Sequence, residues 1–61
     1  MILGFDVFRK LDDGHPLWIA EFASLEEAKT NLHILASKVR AEYFIRDATT
    51  GMIVFRSVPN D

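Results

Sequence analysis

The segment from Ser24 to Arg40, SLEEAKTNLHILASKVR, carries the clearest helical periodicity in the chain, and it limits what the remaining residues can build. Leu25, Ala28, Leu32, Leu35, Ala36 and Val39 recur on one stripe, while Glu26, Glu27, Thr30, Ser37 and Lys38 lie outside it. Ser24 with Glu27 three residues later has the spacing of a capping box, and Lys38 and Arg40 suit the negative end of the helix dipole. A single apolar stripe covers one face of one sheet. Ile34 sits nearly opposite that stripe and is expected to be a solitary exposed apolar side chain.

The flanking segments read as strands. From Ile2 to Lys10 the chain alternates, with Leu3, Phe5 and Val7 on one side and Asp6, Phe8 and Lys10 on the other. The sequence LDDGHP then places turn-forming residues before PLWIAEF, so the two runs form a hairpin. After the helix, EYFIRDATTGMIVFRS forms a second hairpin, with Gly51 at the left-handed position of a three-residue loop with a bulge. That loop gives a register in which Tyr43, Ile45, Ile53 and Phe55 share one face. Together with Leu3, Phe5, Val7, Trp18, Ala20 and Phe22 they are the expected core beneath the helix.

The expected fold class is α+β, a single ββαββ domain over residues 1–61 with a four-stranded sheet and one helix packed on one face. Two strand orders compete, and 2-1-4-3 is preferred. The charged ends of EYFIRD suit an edge and favour the order 2-1-4-3 with parallel central strands. Short connections and a fully antiparallel sheet favour 2-1-3-4.

In either order the sheet face away from the helix carries Phe8, Leu17, Ile19, Phe44 and Val54, interspersed with Asp6, Lys10, Glu21, Glu42, Arg46 and Arg56. Apolar side chains in such number form a contact patch. The expected protein interface is Phe8, Leu17, Ile19, Phe44, Arg46, Val54 and Arg56, with a second copy of the chain, or else another protein, as its partner. Arginine stems lying over the rings and covering them within one chain are the alternative.

With 61 residues and no cysteine, a chain of this kind has neither disulfides nor thiolate metal sites to stabilise it. A domain this small buries only about 60% of the surface its unfolded chain exposes, which gives a covering partner added value. Seven basic and nine acidic residues give a net charge of −2, with no overall attraction for nucleic acid or anionic lipid. Phe8 and Phe44 beside Lys10, Arg46 and Arg56 nevertheless resemble the parts of a sheet that stacks single-stranded bases, which is the second reading of the same face. Asp6, Glu21 and Glu42 weigh against it.

No reaction centre is expected. DDGH at residues 12–15 joins two carboxylates to an imidazole, but adjacent acids in a turn do not make a coordination shell, and Asp-Gly is required there by the turn itself. His33 lies on the helix flank near Glu26, Lys29 and Arg40. The chain has no serine elbow, and Gly4, Gly14 and Gly51 form no phosphate-binding loop. The expectation is therefore a non-enzymatic protein without metal or cofactor. MILGFDVF lacks the features of a signal peptide and no segment reaches membrane-spanning length, so a cytoplasmic chain beginning at Met1 and without a membrane partner is expected.

Taken together, GFDVFRKLDDG, PLWIAEFASLEEAK and EYFIRDATTGMIVF resemble short uncharacterised bacterial proteins in which two hairpins flank a Ser-capped helix. The resemblance spans nearly the whole chain. Trp18, SLEEAK at residues 24–29 and EYFIRDATTG at residues 42–51 carry it most specifically. It implies the ββαββ layout and a bacterial source, and no activity.

Overall fold

The computed structural model describes residues 4–59, in the order β1 (Phe5–Lys10), β2 (Pro16–Phe22), α1 (Leu25–Lys38), β3 (Glu42–Asp47) and β4 (Ile53–Ser57). The strands form one sheet in the order β2-β1-β3-β4, and every neighbouring pair is antiparallel. This is a small α+β domain of ββαββ layout. Ile2 and Leu3, expected in the first strand and its core face, lie outside the described residues.

The observed order corrects the preference for 2-1-4-3. β3 returns from the helix directly against β1, so the charged ends of EYFIRD do not require a sheet edge. Glu42 stands opposite Lys10 and within 4.0 Å of the Arg56 guanidinium. Asp47 turns to its own hairpin, where its carboxylate accepts the Thr49 N–H at 2.8 Å.

Local chemistry sets both turns. At the first, the Leu11 N–H donates to the His15 carbonyl and the Gly14 N–H to the Leu11 carbonyl, both at 2.9 Å, with Gly14 at φ 91°. The second is closed by the Asp47 N–H donating to the Met52 carbonyl at 2.8 Å, and Gly51 takes φ 76°. Its closing pair encloses residues 48–51, one more than the expected three-residue loop. The Gly51 N–H reaches back to the Asp47 carbonyl at 2.7 Å, which tightens the larger loop.

Ser24 caps the helix by accepting the Glu27 N–H at 3.1 Å. Its hydroxyl also donates to the Glu27 carboxylate at 3.3 Å. Ala28 and Leu32 are wholly buried against Val7, Tyr43 and Ile45, with Phe5, Phe22, Leu25, Leu35, Ala36 and Phe55 packed around them. Full burial of one such aliphatic side chain is worth about 1.5–3 kcal/mol. Val39, expected on the same stripe, is the exposed C-cap residue, where the chain leaves the helix. Ile34 is exposed, as its place opposite the stripe predicts.

Two bulges revise the expected sheet faces. Val7 pairs with Ala20 but Phe8 pairs with Trp18, so Ile19 is an extra residue in β2. Trp18 therefore shares the outer side with Phe8 instead of entering the core. Leu17 falls opposite Arg9 on the helix side, and Ile19 packs against the core, so neither lies on the outer patch. In β4, Ile45 pairs with Phe55 but Arg46 pairs with Ile53, leaving Val54 extra. Ile53 is consequently outside the core and 45% exposed. Ala20 and Phe22, beyond the extra residue in β2, keep their expected side opposite Val7 and Phe5.

Candidate interaction surface

The outer sheet face is organised in rows by strand register. One row runs across all four strands as Trp18, Phe8, Phe44 and Arg56, and the next as Glu21, Asp6, Arg46 and Ile53. Lys10 and Glu42 begin a third row towards the helix C-terminal end of the sheet. Cross-strand neighbours on one face stand close enough for direct side-chain contact. Phe8 and Phe44 use this proximity to stack, their ring centroids 5.0 Å apart and their planes 12° from parallel.

Asp6 anchors the second row. Although it faces away from the core, it is only 8% exposed, because neighbouring side chains close over it. One carboxylate oxygen accepts the Trp18 indole N–H at 3.2 Å, and the other accepts from Arg46 Nη2 at 3.4 Å. The Arg46 guanidinium also lies 5.1 Å from the centre of the Phe8 ring, in cation–π geometry. One buried carboxylate thus holds both an indole and a guanidinium on this face. Trp18 remains 56% exposed.

Of the seven expected interface residues, Phe8, Phe44, Arg46 and Arg56 come together on this face, and exposed Val54 sits at the β4 bulge. Leu17 and Ile19 do not join them. Trp18 and Ile53 do, although alternation assigned both to the core. Their signal is present in LWIA and MIVF: consecutive apolar residues break the period of two, as an inserted bulge residue does.

The residues of DDGH form a different kind of feature. Asp13 meets His15 Nδ1 at 2.9 Å and also accepts the His15 backbone N–H at 3.0 Å, the side-chain contact first of all holding the Asp13 carboxyl below its usual pKa. Both side chains are largely exposed at the loop tip. A cleft of about 470 Å³ nearby is lined by Arg9, Lys10, Asp12, Asp13, Arg40 and Ala41 among others, with both signs of charge on its walls. His33 meets the edge of Phe55, at 6.2 Å between ring centres, and Lys29 Nζ lies 4.9 Å from the centre of that ring. His33 itself remains exposed.

No protein-family model, curated protein or solved structure matches the chain. No helix among the described residues is long and apolar enough to cross a membrane.

Proposed function

We propose that this domain is a non-enzymatic interaction module of the bacterial cytoplasm whose outer sheet face stacks on that of a second copy about a two-fold axis. The observation that carries the reading is the pairing of charges around an aromatic row. Arg46 is engaged by Asp6, and Arg56 approaches Glu42, beside Trp18, Phe8 and Phe44. A face neutralised within itself loses little when a protein surface replaces water, and a two-fold contact lets its remaining charges of both signs face each other. The placement of Asp13 and His15 at an exposed loop tip supports the non-enzymatic reading, since nothing there excludes water from a reacting group.

Trp18 favours a second reading, because it extends the aromatic row across three strands beside cationic side chains, as base stacking requires. The same arginines are then drawn towards Asp6 and Glu42 rather than towards phosphate. Sedimentation of the wild type and Phe44→Asp separates the alternatives. Face stacking predicts that Phe44→Asp halves the wild-type mass, and a wild type that stays monomeric at high micromolar concentration contradicts it. Binding of mixed single-stranded oligonucleotides that weakens steeply with salt and is lost in Arg46→Glu would establish the second reading.

A further inference from the structure

The two edges of the sheet differ. β2 begins at Pro16, which has no N–H to offer, is bulged in its middle at Ile19, and carries Glu21 near its end. Each of these features discourages strand addition. In β4 the bulge lies at Val54, near the turn, leaving Phe55–Ser57 in regular register with β3. Arg56 is the only charged residue between Met52 and Pro59. Met52, Ile53, Val54 and Val58 are all exposed, and no strand among the described residues lies beyond β4. A regular edge of this composition presents backbone donors and acceptors in the form another strand can use.

We infer that the β4 edge pairs antiparallel with the β4 edge of a second copy, about a two-fold axis at Ser57, joining two sheets into one of eight strands. Charge selects this axis. An axis at Arg56 sets that guanidinium against its own copy, and like charges directly opposite are unfavourable. An axis at Phe55 uses the bulged residue for pairing and draws together the two Lys29 ammonium groups that lie over the Phe55 rings. At Ser57, the last residue of β4, Arg56 instead faces the second copy's Val58, which continues the edge past the strand and whose 63% exposed side chain the arginine stem can cover, while Pro59 falls opposite Phe55 in a pair that exchanges no backbone hydrogen bonds. Isologous pairing also uses both free β4 edges at once and closes on itself, unlike addition of an unrelated strand.

The edge axis is perpendicular to the sheet, whereas face stacking needs an axis within the sheet plane. Where the two axes meet, both contacts together give a closed assembly of four chains. This tetramer rests on the proposed face contact, but the edge contact stands without it. Ser57 is on the helix side, opposite Tyr43, so stacking of outer faces does not bring it to its copy.

The native chain has no cysteine, so Ser57→Cys tests the edge with one introduced thiol per chain. Mild oxidation should cross-link Ser57→Cys into a covalent pair much faster than Thr49→Cys, an exposed control at the hairpin tip. Equal rates would overturn the proposal. Sedimentation provides an independent test with four chains expected for the wild type and two for Phe44→Asp. If the wild type has two chains and Phe44→Asp one, the edge contact is refuted and the face contact stands. If both have two chains and Ser57→Cys cross-links, the edge contact stands and the face contact fails.

Discussion

Gly4 shows how closely a single residue can be constrained in so small a sheet. It is buried where β1 begins, and its carbonyl accepts the Ala48 N–H at 2.9 Å, tying the start of β1 to the loop after β3. A Cβ at this position would overlap the Phe22 backbone carbonyl oxygen. Backbone atoms cannot rotate aside as a flexible side-chain tip can, so accommodation requires β1 and β2 to separate locally. Gly4→Ala is expected to lower stability by about 1–3 kcal/mol, read as a lower urea midpoint without a change in slope. An unchanged midpoint would contradict this close approach. Asp6 lies two residues along and uses its carboxylate differently, fixing Trp18 and Arg46 on the solvent side. Its burial comes from those neighbours and not from the core, which explains how an acid can be shielded on a sheet's outer face.

At the scale of the elements, the end of the helix is secured by β3. The buried Tyr43 hydroxyl lies 2.8 Å from the Val39 carbonyl oxygen, at the helix C-cap, and 3.3 Å from that of Leu35, which also accepts the Val39 N–H at 2.9 Å. Tyr43→Phe keeps the ring in the core and removes the donor. Loss of about 0.5–1.5 kcal/mol is expected, with faster amide exchange concentrated in the last helical turn. Uniform exchange along the helix would contradict the assigned role. The helix itself was readable because its cap and apolar stripe are local properties of consecutive residues. The strands were readable as elements, but their faces were not, because one inserted residue reverses every side chain beyond it. Thus Phe8 and Phe44 keep their predicted side, while Trp18 and Ile53 exchange core for surface across the bulges at Ile19 and Val54. The charged ends of β3 misled the strand order because their partners, Lys10, Arg56 and the hairpin Thr49, are distant or appear only in the folded turn.

At the scale of the whole molecule, one helix on a four-stranded sheet leaves a broad aromatic face outward, and the proposed contact between copies places that face inside an assembly. Trp18 is the chain's single tryptophan and stands in the aromatic row, so its fluorescence reports on that face without any substitution. The β4 edge lies at the opposite end of the strand order, so edge pairing leaves the indole accessible. The most direct test is acrylamide quenching of Trp18 over a range of chain concentrations, with the sedimenting mass followed in the same samples. Face stacking predicts that quenching falls as the chains associate and stays high in Phe44→Asp at every concentration. Quenching that remains constant while the wild-type mass rises would contradict it, showing that the chains meet elsewhere.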